Sequence, residues 1–181
     1  MTELNIIPEC YVDTRIAEIV GQVKIKYNHQ HGFGGVSKEM EYSLENVMAL
    51  GIIDEDKNKG TTSKYFLEFI TIIEKDNLIL KKHPDRKHYL VLVCPEVERW
   101  LLNDAKQVGT NPTDEEYNLP DEMKGLIKLS KIKDIDRNEG FKKFIKALIK
   151  AKAPSISTLK KWIELFKIGQ LDTFANNKYY D

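Results

Sequence analysis

Val47-Met48-Ala49-Leu50-Gly51-Ile52-Ile53 is an uncharged apolar run that stops at Asp54-Glu55-Asp56. A run this short, bounded by the polar turn Asp56-Lys57-Asn58-Lys59-Gly60, fits a strand buried on both faces. Three other segments share its character. Leu4-Asn5-Ile6-Ile7 ends at Pro8-Glu9, and Leu78-Ile79-Leu80 and Tyr89 to Cys94 also read as strands. Between them the period changes. Ile16, Ile19, Val20 and Val23 fall at helical spacing, with Asp13 or Thr14 as the expected cap. Tyr27 to Gly35 reads as a His- and Gly-rich loop, Ser37 to Glu45 as a short helix and Ser63 to Phe69 as another. Ile70 to Glu74 fits strand or helix. Pro95 suits the first turn of a helix that places Val97, Trp100 and Leu101 on one face.

Strands alternating with helices predict an α/β fold, a mostly parallel central sheet flanked by helices. Beyond Asp104 to Leu119, which is polar, the pattern is helical. Phe141, Phe144, Ile145, Leu148 and Ile149 make an amphipathic stripe; Pro154 ends it, and Leu159, Trp162, Ile163 and Phe166 begin the next. The expected organisation is an α/β core over residues 1–103 and a helical C-terminal extension over 104–181, packed on that core.

The chain has 181 residues, 41% of them hydrophobic, enough for a buried core. It has no long uncharged apolar run, so no membrane span is expected. Met1-Thr2-Glu3 lacks the basic flank of a signal peptide, and two cysteines do not make a disulfide framework, so a cytoplasmic location is expected. Net charge is zero but uneven. Lys124 to Gln170 holds 13 Lys and Arg against 4 Asp and Glu, a local +9. Such a segment is either a polyanion-binding surface or a solvated lysine face. Lys142, Lys143, Lys146 and Lys150, on the polar side of the Phe141–Ile149 stripe, are the candidate nucleic-acid contacts, with DNA or RNA as the partner.

The acids are placed with more regularity. Glu9 follows the first apolar run, Asp54 and Asp56 the second, and Glu96 and Glu98 the last. In open parallel sheets ligands lie beyond the carboxyl ends of the strands. Carboxylates converging there repel unless a cation or proton intervenes. Hard oxygen donors in this number suit Mg²⁺ or Mn²⁺, with water and phosphate completing the shell. Alone, Asp-x-Asp is a weak signal, since acidic turns often follow strands, and Glu98 on its helix is also consistent with a solvent-facing residue.

IIPECYVD (6–13) resembles the first motif of Toprim domains, a strand followed by glutamate and then a helix-opening aspartate. GIIDEDK (51–57) resembles the second, a strand ending in Asp-x-Asp. CPEVERWLL (94–102) resembles the Pro-x-x-Glu-x-Trp-Leu-Leu element of small Toprim-like proteins in bacterial defence and restriction-associated systems, relatives of the overcoming-lysogenization-defect nucleases. The resemblance spans roughly residues 4–103. It implies a Toprim-like fold, magnesium, and phosphodiester cleavage in mobile-element defence, beside a partner ATPase in many such proteins. By it Glu9, Asp54 and Asp56 are the catalytic acids. Glu9 is the general acid/base or metal-side glutamate, Asp54 and Asp56 are metal ligands, and Glu98 is an accessory ligand. The glycine that usually follows the glutamate is Cys10 here. A non-catalytic nucleic-acid or protein-binding module is the alternative. A haloacid-dehalogenase-like phosphatase ranks third: its Asp-x-Asp-x-Thr/Val stands near the chain start, whereas Asn58 holds the last place here.

His29 and His31 bracket Gln30 in NHQHGFGG. Two imidazoles without further ligands are poor grounds for a transition-metal site; the glycines suit amide contacts to phosphate or a plain surface loop. His83 and His88 flank Pro84-Asp85-Arg86-Lys87, which is expected to be a hairpin turn and whose cations, with Lys81 and Lys82, suit phosphate contact or ordinary turn chemistry. Trp100 and Trp162 lie on apolar stripes and read as core.

Overall fold

The computed structural model describes residues 5–22, 26–55, 63–131, 135 and 137–177. The expected roles of Leu4, Val23 and Asp56 lie outside them. The chain runs β1 (Ile6–Pro8), α1 (Tyr11–Val20), α2 (Gly32–Lys38), a π-helical turn (Glu39–Ser43), β2 (Ala49–Asp54), α3 (Lys64–Leu67), β3 (Ile70–Lys75), β4 (Leu78–Lys82) and β5 (His88–Val93). It continues with α4 (Val97–Val108), α5 (Met123–Ser130), α6 (Glu139–Lys150), α7 (Pro154–Lys167) and α8 (Leu171–Asn177).

The five strands form one sheet in the order β1-β2-β5-β4-β3. β1 runs parallel to β2, with Ile6 opposite Leu50, and β2 parallel to β5, with Asp54 opposite Val93. β5/β4 and β4/β3 are antiparallel. The sheet is therefore mixed, which overturns the expected mostly parallel, Toprim-like sheet. The reason is in the connections. Asp76 and Asn77 both take positive φ (51° and 56°), the backbone of a two-residue hairpin turn, so β4 folds straight back on β3. Residues 83–87 do the same between β4 and β5, closed by the His83 N–H to His88 carbonyl bond (2.9 Å). Parallel neighbours need a crossover of a dozen residues or more, and these links are too short.

Alternate residues of the buried strands face opposite layers. Ile6, Leu50, Ile52, Tyr89, Val91 and Val93 join the larger core, with Val12 and Ile16 of α1, Trp100 of α4, Phe144 of α6 and Trp162 of α7. Ile7, Ala49, Ile53 and Leu90 face a smaller core with Val36, Met40, Tyr65, Phe66 and Phe69. Gly51 lies at the second interface. A Cβ there would stand 2.9 Å from both Leu90 Cδ1 and Met40 Sδ, so only a hydrogen lets the π-helical turn sit this close to β2. Trp100 and Trp162 are both buried, as core residues.

Local details differ from the sequence reading. Cys10, not Asp13 or Thr14, caps α1: its Sγ accepts from the Asp13 N–H at 3.5 Å, and the Thr14 hydroxyl donates back to the Cys10 carbonyl at 2.7 Å. α2 begins at Gly32, inside the expected loop, and Ile70–Lys75 is strand. His88 is fully buried. Its Nε2 lies 3.0 Å from both the Leu44 and Val47 carbonyls and its Nδ1 is bonded to the Tyr65 hydroxyl, so Nε2–H donates, Nδ1 accepts, and burial holds its pKa below the usual value.

Candidate functional site

Three parallel strands bring their carboxyl ends to one edge. The ladder continues past the strands there, with Glu9 N–H donating to the Ile52 carbonyl (2.9 Å) and Glu55 N–H to the Val93 carbonyl (2.8 Å). Glu9 follows β1 and is 6% exposed. Its Oε1 accepts from the Phe33 N–H and its Oε2 from the Asp54 N–H, both at 3.1 Å. These bonds tie the end of β1 to α2 on one side and to β2 on the other. Asp54 closes β2, and its Oδ1 accepts from the Val97 N–H at the start of α4 (3.1 Å). Helix N-termini carry unpaired N–H groups and partial positive charge, so this edge favours anions.

Two further acids enter from those helices. Asp13 lies in the first turn of α1 and is 3% exposed; neither carboxylate oxygen makes a hydrogen bond. Glu98 lies in the first turn of α4 and is also buried. Burial pushes the Asp54 carboxyl up to about 9, reinforced by the charges of Asp13, Glu9 and Glu98 and opposed by the Val97 N–H. Burial likewise pushes Asp13 up to about 7; the Cys10 side chain opposes this, and the Glu9 and Glu98 charges add to it. Four carboxylates thus share one field, and the structure brings Glu9, Asp54 and Glu98 together with Asp13. Burial also drives the Cys10 thiol far above its usual pKa, which leaves it a weak nucleophile.

Asp13 is the residue the sequence reading missed as a member of the site. The signal was its spacing: it opens the helix that directly follows Glu9, so one turn of α1 carries it back to the same edge. Asp56 lies outside the described residues. Among the described residues, no three acid, histidine or cysteine side chains already stand in a metal-holding group. The donor set nonetheless fits a hard divalent cation. It is all oxygen, and Asp13 contributes two buried oxygens without a hydrogen bond.

The candidate lysines lie elsewhere, on α6. Phe141, Phe144, Ile145 and Leu148 bury one side of that helix, and Lys143, Lys146 and Lys150 are exposed on another at i, i+3 and i+7. Lys142 is half-buried and bonds Glu139 at 3.2 Å. Two of the cations near the Pro84–Lys87 turn serve the protein's own contacts. Lys82 pairs with Asp172 at 2.8 Å, and Arg86 donates to the Glu41 carbonyl at 2.8 Å and lies over the Tyr65 ring. No helix among the described residues is long and apolar enough to cross a membrane. No family model, curated protein or solved structure matches the chain.

Proposed function

We propose that this edge is a magnesium- or manganese-binding site for phosphodiester hydrolysis, with Glu9, Asp54, Asp56 and Glu98 holding the metal and Asp13 completing the negative field. The observation that carries the reading is the meeting of buried Glu9, Asp13 and Glu98 with Asp54 at the carboxyl ends of parallel strands, where the Glu9 carboxylate accepts from the Asp54 N–H at 3.1 Å; burial raises Asp13 and Asp54, and the neighbouring acids add to it. Strongly perturbed acids grouped in one place mark functional sites more often than chance. The resemblance of the three strand-end segments to Toprim motifs supports it too. A bound divalent ion there would supply Lewis acidity and a more acidic water. The protein's own part is positional: the Phe33 and Asp54 N–H groups fix the Glu9 carboxylate, and the Val97 N–H fixes that of Asp54. Without a cation, Asp54 holds a proton at neutral pH. A separate ATPase partner and a role in mobile-element defence belong to the same reading.

The expected result is a higher unfolding temperature in millimolar magnesium or manganese than in chelator, because a ligand that binds only the native state stabilises it. An excess of about one hundred times the dissociation constant corresponds to about 2.7 kcal/mol. Asp54→Ala abolishes most of that shift, as read by differential scanning fluorimetry. Equal responses of variant and wild type sink the assignment. Manganese-dependent cleavage of labelled DNA and RNA by the wild type, absent in Asp54→Ala, tests the chemistry.

The α6 lysine stripe favours the second reading, a non-catalytic nucleic-acid or protein-binding module. Replacing Lys142, Lys143, Lys146 and Lys150 with Gln is expected to weaken non-specific DNA or RNA binding by at least about tenfold. The slope of log affinity against log salt then becomes shallower by about three, roughly one for each phosphate that an exposed lysine neutralised. Anisotropy titrations at several salt concentrations measure both. Unchanged binding makes the stripe a solvated face and moves protein binding ahead.

A further inference from the structure

We infer that the Tyr11, His29 and His31 rings form a subsite for an unpaired nucleobase beside the carboxylates, which makes single-stranded nucleic acid the substrate class; this rests on the function proposed above. The placement begins in the backbone. Residues 28–32 run along the outer edge of β1: Asn28 N–H donates to the Ile6 carbonyl (3.2 Å), Gln30 N–H to the Pro8 carbonyl (3.1 Å) and Gly32 N–H to the Glu9 carbonyl (3.1 Å). Alternation along an extended segment sends His29 and His31 to one side. Asn28 and Gln30 go to the other, where they bond each other, and Asn28 reaches Glu39 (both 2.9 Å).

On the histidine side the rings meet Tyr11, the first residue of α1. His29 stacks on Tyr11 with centroids 4.4 Å apart and planes 17° from parallel. His31 stands edge-on to His29 at 4.9 Å and to Tyr11 at 6.0 Å. His29 is locked. The Thr14 hydroxyl has one proton and gives it to the Cys10 carbonyl, so in the 3.0 Å contact between Thr14 Oγ1 and His29 Nδ1 the ring is the donor. The Tyr11–His29 pair is therefore preformed, while His31 is exposed. At Gly32 the backbone is left-handed, with φ +72°, and a Cβ would meet nothing within 4 Å, so the approach beside His31 is open. The next amide, Phe33 N–H, holds the Glu9 carboxylate.

A fixed ring pair with an exposed third ring, two residues from the amide that grips an acidic site, suits a flat heterocycle whose phosphate lies at the acids. Aromatic and imidazole faces stack any base, and a base within a duplex hides its faces. The neighbouring helix N-termini of α1 and α4 favour the phosphate of the same nucleotide.

The test titrates the full chain with a labelled oligothymidylate of about 12 nucleotides and with an oligomer of equal length and charge lacking every base. Wild type is expected to bind the base-bearing oligomer about tenfold more tightly, the effect of one good stack. His31→Ala brings that ratio close to one and leaves affinity for the abasic oligomer unchanged, which a merely structural change would not do. Equal wild-type affinity for both oligomers, binding of neither, or a ratio that His31→Ala leaves intact overturns the subsite. The magnesium-dependent rise in unfolding temperature, measured on the same proteins, reports on the carboxylates separately. If that rise persists while the base preference is absent, the subsite alone fails; if the base preference persists without the rise, the metal reading fails.

Discussion

Asp104→Ala is expected to lower the unfolding free energy by about 3 kcal/mol. Asp104 is fully buried on α4, yet its carboxylate serves α7. Oδ1 accepts from the Ser155 N–H (3.1 Å) and the Ser155 hydroxyl (2.7 Å), and Oδ2 accepts from the Ile156 N–H (2.8 Å). The residue at the cap position of α7 is Ala153, which has no side chain able to fill that role. Asp104 therefore caps α7 from another helix, and its charge sits at the positive end of that helix. Alanine leaves the Ser155 and Ile156 N–H donors without their acceptor in a buried site. Urea unfolding reads the loss as a lower midpoint with the slope unchanged. Ser155→Ala removes one bond of the three and loses only about 1 kcal/mol. A loss below about 0.5 kcal/mol for Asp104→Ala, within the range of surface substitutions, would show that the cap carries no weight.

Asp13→Asn is expected to act in the other direction. A carboxyl whose pKa rises on folding, here from 3.8 to about 7, contributes stability that is complete below its unfolded value and is lost as pH rises through the folded one. Asp54, raised to about 9, adds to the same decline over a wider window. At pH 8 in chelator, Asp13→Asn removes a buried charge without a hydrogen bond and gains on the order of 3 kcal/mol over wild type. At pH 4 the two proteins converge. His88 has the opposite slope, its contribution being lost as pH falls through and below about 6.5, but it is common to both proteins and cancels in their difference. Magnesium then discriminates. If Asp13 contributes to the cation's field, wild type gains more from the metal than the variant does, and the gap at pH 8 narrows. A gap that is independent of pH shows that folding leaves the Asp13 pKa where it is in the unfolded chain, and that burial does not penalise its charge.

How much of this was legible in the sequence follows from the range of the signal each feature carries. The buried strands were, because VMALGII and HYLVLV are dense apolar runs whose burial on both faces needs no long-range knowledge. Their acids were legible as strand-end residues, and parallel pairing of β1, β2 and β5 brings Glu9 and Asp54 within one hydrogen bond of each other. The hairpin that joins β4 to β5 was legible in its Pro84–Lys87 turn, and those strands pair antiparallel; the direction of β3 was not drawn from the sequence, although Asp76-Asn77 between two apolar runs is a hairpin signal. Weight on strand-helix alternation hid it. The Cys10 cap escaped because sulfur accepts weakly and is seldom considered for that role. Asp13 was legible as a helix opener, but its burial depends on how α1 lies over the sheet. Asp104 gave no signal, since its partner is 51 residues away and only packing unites them.

The segment that carries His29 and His31 has a second consequence, for association. By occupying the outer edge of β1 with three backbone bonds it removes one of the two places where another strand could add to the sheet. The other edge, β3, ends in Glu74-Lys75 and has an irregular register between Thr71 and Ile73. Charge and a bulge are the means by which exposed edges resist pairing with a neighbouring molecule. Ile70 and Leu67, both exposed at the start of that edge, mark where such resistance is weakest. Intermolecular strand addition, where this chain undergoes it at all, starts from the β3 side.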